Sequence, residues 1–263
     1  MGLFSKSKPD PNTEIKVVND QWQMFFRWME HGENELPIMM SFDETYAEGQ
    51  PKDYKYGVEF SVFVPNDADH MFPETSMIKG HVNKDFIENE PQLYAAIESA
   101  KSHTKHIARL TGIGRKVYRF QTREPKELIP VLEKWATSLQ FVRRTEVETR
   151  KDWTYYTGIL PNLAERQQIS DRFVIDHAIQ NGANADDLYP CDFNFRGEAS
   201  QLAIIQKDLE EEEFVTTKLE GNHLSLQRQL PLDLKTISHF TSYMLMSAMA
   251  HECTFDGWGC DIG

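Results

Sequence analysis

Trp22, Met24, Phe26 and Trp28 fall on one face of an extended segment, and Ile38, Met40 and Phe42 answer them across a polar turn around Gly32 and Asn34. Period-two alternation on both sides of a turn predicts a β-hairpin. Val58, Phe60, Val62 and Val64 keep the same period in a third strand over 56–64. The spacing then becomes helical over 91–110, with Asn89 as cap and Leu93, Tyr94, Ile97, Ala100, Thr104, Ile107 and Ala108 as the inner stripe. Gly112 and Gly114 end that helix, and a strand over 115–121 follows. A second helix carries Leu128, Leu132, Trp135 and Leu139. Pro125 and Pro130 both favour a first turn, which puts its start near Pro130 or demands a kink. Strands over 141–148 and 153–159 complete the order βββαβαββ, an α+β unit with a mixed or antiparallel sheet and two helices.

After Gly158–Pro161 the pattern restarts. Asn162 and Glu165 have capping-box spacing, so a helix runs to about Asn181. A strand over 189–195, a helix over 198–212 and a hairpin around Glu220-Gly221-Asn222 come next. Asp233 caps a last helix with the stripe Ile237, Phe240, Thr241, Met244, Leu245, Ala248 and Met249, and a strand over 255–262 closes the chain. Setting the leading helix aside, this is βαββαβ, the ferredoxin-like arrangement with both crossover helices on one sheet face. The other face is then expected to need a cover: the leading helix, the first unit or a partner. Residues 1–13 read as a polar terminus, 14–158 as one domain and 159–263 as a second.

Hydrophobic residues make up 40% of the chain, with 16 Phe, 9 Tyr and 5 Trp, ample for two cores. No apolar run reaches the ~18 residues of a membrane span, and the start resembles no signal peptide. Three cysteines suit a reducing cytoplasm better than a disulfide framework. The net charge of −13 is uneven. Residues 1–160 carry 24 acidic and 21 basic side chains, whereas 161–263 carry 17 and 7. Phosphate backbones repel such a second half and basic protein surfaces attract it, while the acidity by itself is explained as well by solubility alone. Its acidic candidates for partner contact are Glu210, Glu211, Glu212 and Glu213, then Asp186, Asp187, Asp192 and Asp256.

Catalytic chemistry is scarce. No nucleophile elbow, zinc-protease motif or Cys/His pairing appears, and neither an enzyme activity nor a cofactor is expected. His251, Cys191, Cys253 and Cys260 lack the paired spacing of a zinc site. His103 and His106 share the basic face of the predicted helix with Lys101, Lys105 and Arg109. Thr111–Lys116 has phosphate-loop composition, but in the order helix, glycines, strand. Arg115, Lys116, Arg119, Arg143 and Arg144, near Trp153, Tyr155 and Tyr156, are candidates for anion or RNA contact. Glu146, Glu148 and Asp152 alternate with them, and cross-strand ion pairing explains the pattern equally well.

The ending Phe255-Asp256-Gly257-Trp258-Gly259, with two glycines that let backbone or a partner approach Trp258, is the most specific feature of the chain. Together with the element order before it, it resembles the regulators of ribonuclease E activity, type B, small acidic bacterial proteins that end on a near-identical strand. The resemblance runs from about Asn162 to Ile262. It implies a non-catalytic protein that binds an endoribonuclease and lowers its activity, here through the acidic surface, with Trp258 among the contacts. The chain differs from that family in stopping just after the closing strand, without the long acidic tail, and in carrying a domain in front. That first domain is similar to an uncharacterised bacterial family found in such fusions, on its aromatic hairpin and the helix read over 91–110. Two other functions stay open: an RNA- or nucleotide-binding accessory protein using the basic strands, and an immunity-like protein that neutralises a basic nuclease.

Overall fold

Alternation of apolar side chains builds two antiparallel sheets, each with helices on one face. The structure, a computed structural model, describes residues 21–32, 34–100 and 102–262; the terminus read over 1–13 thus lies wholly outside the described residues. The protein is α+β. In the first half β1 (Trp22–His31) and β2 (Asn34–Asp43) form the expected hairpin, followed by β3 (Tyr56–Phe63), α1 (Gly80–Ser99), β4 (Thr104–Gly112), β5 (Arg115–Thr122), α2 (Pro125–Ala136), β6 (Arg144–Arg150) and the single turn α3 (Thr154–Thr157). The sheet order is β1-β2-β4-β5-β3-β6.

One face of this sheet carries Val58, Phe60, Val62, Tyr118 and Phe120, packed under α1 (Val82, Phe86, Leu93) and α2 (Leu128, Leu132, Trp135). Each such side chain, fully buried, contributes about 1.5–3 kcal/mol. On the other face Phe25, Ile38, Met40, Phe42 and Ile107 meet Tyr156 and Ile159, which follow β6. Beyond that patch the face is polar.

Several expectations are corrected here. Phe25, not Phe26, stands opposite Met40; Trp22, Met24 and Phe26 lie on the reverse face, because β1 is apolar on both sides. The helix read over 91–110 is two elements. α1 starts at Gly80 with Lys79 as an uncapped N-cap, Asn89 and Pro91 lie inside it, and Ile107 and Ala108 belong to β4. His103, at φ 47°, sits between them, so it shares no helix with His106. Gly112, Ile113 and Gly114 form the β4–β5 hairpin turn rather than a helix end; all three have positive φ. Pro125 starts α2 and Pro130 lies within its first turns. The strand read over 153–159 is replaced by α3.

The second half follows its reading closely: α4 (Leu163–Gln180) with the Asn162–Glu165 capping box, β7 (Leu188–Arg196), α5 (Ala199–Glu211), β8 (Val215–Glu220), β9 (His223–Pro231), α6 (Leu234–Ala250) capped by Asp233, and β10 (Thr254–Cys260). Strand order β10-β7-β9-β8 is the ferredoxin-like order. Its core joins Phe193, Phe195, Leu224 and Leu226 to Leu202, Ile205, Ile237 and Met244. The leading helix α4 does not cover the opposite sheet face; it packs beside α6 and against β1. That opposite face holds Asp192, Asn194, Ser225 and Gln227, bonded in pairs across β7 and β9. An antiparallel sheet with polar residues on one side needs no cover there. No described helix is long and apolar enough to cross a membrane.

Candidate partner-binding site

Strand register decides which acidic residues meet. Leu188 pairs with Pro231, Val215 with Gln227, and Cys260 with Cys191. Asp186 and Asp187, just before β7, and Glu210–Glu213, just before β8, therefore gather at one end of the second sheet. Asp256 is a bulge residue at the opposite end, ion-paired with Arg196. Asp192 lies on the polar face and accepts from Gln227 Nε2 at 3.0 Å.

The glutamate run ends α5 with no basic residue in its last turn, an arrangement that opposes the helix dipole. Three contacts offset it. Glu210 accepts from Gln206 Nε2 and Thr216 Oγ1, both at 2.9 Å, and these bonds lower its carboxyl below the ordinary value. Arg228 of β9 reaches Glu213 at 3.2 Å, donates to the Glu212 carbonyl, and lies over the rings of Phe214 and Phe240. Glu213 itself takes φ 65°, the left-handed position after a helix where glycine is usual. Glu211 and Glu212 extend exposed carboxylates into solvent.

Trp258 is placed differently. Its half-buried ring stacks on Phe193 with centroids 6.3 Å apart, and its indole N–H donates to Asp171 of α4 at 2.9 Å. It faces the core of its own unit. Gly257 and Gly259 lie on the other side of β10 with open space where a Cβ would be; Gly257 is required by φ 107° at the bulge rather than by an approach to Trp258. Sequence reasoning missed Asp171. The signal was present: it shares the helical spacing of the buried Ile175 and Ala178.

The basic candidates of the first half are dispersed. Lys116 points to the α1 side, is 3% exposed, and pairs with Glu90 at 3.1 Å. It is closed to an anionic ligand. Glu90 is the hub of a buried cluster that also takes Arg109 at 2.7 Å and Tyr118 Oη at 3.0 Å. Arg119 pairs with Glu59 at 2.7 Å and donates to the Tyr155 carbonyl. Arg115 and Arg144 flank Phe63, one from each neighbouring strand, and Arg144 pairs with Glu146 at 2.7 Å. Arg143 is exposed, and with Arg144 it lines a cavity of about 210 Å³. Of these cations Arg119 is held by a cross-strand pair, Arg144 by a carboxylate of its own strand and Lys116 by one from α1.

Among the described residues, no group of three or more His, Cys, Asp or Glu side chains is arranged to hold a metal ion. Fold and surface define a two-sheet α+β protein whose second half is a ferredoxin-like sandwich with a carboxylate-rich end. Residues 168–260, from the middle of α4 to the last residue of β10, match the family described as regulator of ribonuclease activity B. No curated protein matches the chain.

Proposed function

We propose that this protein is a non-catalytic regulator that binds an endoribonuclease through the acidic end of its second domain and restrains it. The observation that carries this reading is the family match over 168–260, on a unit whose Glu210–Glu213, Asp186 and Asp187 gather at one end. Complementary charge speeds encounter with a basic surface and selects among partners. Domains over 14–158 and 159–263 and a cytoplasmic site of action belong to the same reading. The RNA-binding alternative keeps only Arg115, Arg143 and Arg144, and carboxylates are interleaved among them. The immunity-like alternative uses the same acidic end and differs only in its target.

The test is a binding and cleavage assay of the full chain with the host's purified endoribonuclease. The wild type is expected to bind and slow cleavage. A variant with Asp186, Asp187, Glu211 and Glu212 changed to lysine is expected to lose both effects at an unchanged melting temperature, since it spares the bonded Glu210 and Glu213. Reversal of all of Glu210–Glu213 should act in the same direction. Inhibition that survives the fourfold change rejects the acidic-end mechanism, and tight binding to a toxin nuclease instead favours the immunity-like function.

A further inference from the structure

Cys191, Cys253 and Cys260 are free thiols, and two of them face each other. Cys260 of β10 stands directly opposite Cys191 of β7 in the antiparallel ladder. Opposed residues share a sheet face, and here it is the inner one. Cys191 is fully buried in the core of the second unit, and Cys260 packs against that core from the edge strand. The next pair on the same face, Trp258 and Phe193, stack ring on ring.

An antiparallel ladder alternates pairs that exchange backbone hydrogen bonds with pairs that do not, and the second kind is the closer, with Cα atoms about 4.5 Å apart. Asp261 N–H donates to the Pro190 carbonyl at 3.2 Å, which makes those two residues a bonded pair. Cys260 and Cys191, one step inward, are therefore a pair of the closer kind. A disulfide needs Cα atoms roughly 4.4–6.8 Å apart and Cβ atoms about 3.5–4.5 Å apart. Opposed Cβ atoms in such a pair start near 4.5 Å, so rotation of the two side chains brings the sulfurs together with little backbone movement.

Cys253 is the contrast. Its side chain lies against Gly197, past the far end of β7, about 20 Å along the strand from Cys191. It reaches neither partner.

Access separates the roles of the pair. Cys191 is closed to solvent, whereas Cys260 is only half-buried. Burial raises both thiols, with Cys260 and Asp192 adding to it at Cys191 and Asp261 at Cys260. Thiolate is scarce on each at neutral pH, so attack on an oxidant is slow and starts at Cys260. Completion needs no solvent access, because a thiol held at contact distance outcompetes any thiol in solution.

We propose that Cys191 and Cys260 form a redox modification site, at which a peroxide converts the two thiols into one disulfide that fastens β10 to β7. The Cys260 thiolate attacks a peroxide oxygen, the O–O bond breaks, and Cys260 becomes a sulfenic acid. The Cys191 sulfur then attacks the Cys260 sulfur, the S–O bond breaks, and the departing hydroxide takes the Cys191 proton as water. With hydrogen peroxide, two thiols give up two electrons and two protons, and the oxidant leaves as two waters. In a reducing compartment the dithiol is the resting state and the disulfide a transient signal, reversed by thiol exchange. The bond closes a loop that holds α5, β8, β9 and α6, and it restrains the strand that carries Trp258. The site does not depend on the ribonuclease reading.

The test exposes the reduced full chain to hydrogen peroxide at neutral pH, denatures it in N-ethylmaleimide and maps the thiols by mass spectrometry. The oxidised chain is expected to take up one maleimide, at Cys253, in place of three. It should yield a peptide pair joined through Cys191 and Cys260 that dithiothreitol separates, and its melting temperature should fall when dithiothreitol reduces the bond. Cys253→Ser should oxidise in the same way. Cys260→Ser, a change at the half-buried position, should leave Cys191 open to maleimide once the chain is denatured. Three maleimides taken up after peroxide, a bond that involves Cys253, or covalent dimers in place of the internal bond overturns the proposal. So does Cys260 carried on to sulfinic acid while Cys191 stays a thiol, or a disulfide that forms only when peroxide is added in denaturant.

Discussion

The indole N–H of Trp258 donates to Oδ1 of Asp171 across 2.9 Å, tying the last strand to the helix that leads into the second unit. The same carboxylate accepts from Thr241 Oγ1 at 2.6 Å, Ser238 Oγ at 3.0 Å and Gln167 Nε2 at 2.9 Å. Four donors from α4, α6 and β10 thus satisfy one fully buried acid. The hydrogen bond makes Trp258 a structural residue of this unit.

Replacing Trp258 with Phe keeps the stack on Phe193 and removes one donor to a buried carboxylate. The expected cost is about 1.5–3 kcal/mol, read by urea denaturation, with Trp258→Ala costing more through the added cavity. A Phe variant as stable as wild type would show that the bond contributes nothing net.

Asp171 should give an inverted pH dependence. Burial raises its carboxyl above the ordinary 3.8, against the pull of its donors. Between 3.8 and the raised value the folded state holds more proton than the unfolded chain. Its contribution to stability is then greatest below that window and falls as pH rises through the native pKa. Asp171→Asn lacks this titration, so the stability of wild type relative to the variant should decline as pH rises from 3.8 through the raised native pKa. A relative stability that stays level or climbs as pH rises above 3.8 contradicts the assignment.

Breaking the Arg27–Glu165 pair strands a carboxylate whose side chain is 10% exposed. Arg27→Met is expected to cost about 3 kcal/mol, the lower end for a buried pair because Arg27 is partly solvated. Limited proteolysis should then cut faster between α3 and α4, where Gly158 and Leu160 lose their donor.

Glu252 holds φ 52° just after α6 and is exposed. Glu252→Gly should relieve the left-handed strain and stabilise by about 0.5–1 kcal/mol, seen as a rise in melting temperature. A fall would mean that the side chain makes a compensating contact.

The cysteines should differ in reactivity. Burial, with Cys260 and Asp192 nearby, pushes the Cys191 thiol up to about 12. At pH 8 its thiolate fraction is on the order of one in ten thousand. A disulfide-exchange reagent on the native chain should label it last, and at the rate of the other two only after denaturant is added.

The second half was legible because each element had a local signal: the capping box at Asn162, Asp233 before the last stripe, glycine in the β8–β9 turn. The first half was less so. Ala100-Lys101-Ser102-His103 contains no glycine or proline, and the break between α1 and β4 uses a left-handed His103, so helical spacing ran on through residues that pair as a strand. Tyr155 and Tyr156 have strand propensity, yet Asp152 turns the chain by accepting the Thr154 N–H at 2.9 Å, and tertiary packing of Tyr156 decides the rest. Pairing in space was not legible: the acid that receives Trp258 lies 87 residues away, and Lys116 looked like Arg115 and Arg119 although it stands on the buried side of the sheet.

The polar face of the second sheet has a meaning for how such a protein meets RNA. Four-stranded βαββαβ modules that read single strands do so by stacking bases on aromatic side chains of the sheet surface. Here β7 and β9, the two central strands, offer Asp192, Asn194, Ser225 and Gln227 on that surface, already bonded to one another. The aromatic rings Phe193 and Phe195 point inward instead. The two central strands thus offer no aromatic platform for a base, and the cations at the margin of this face are already matched, Lys218 with Glu220 and Arg196 with Asp256, so a phosphate would have to compete with a carboxylate for each.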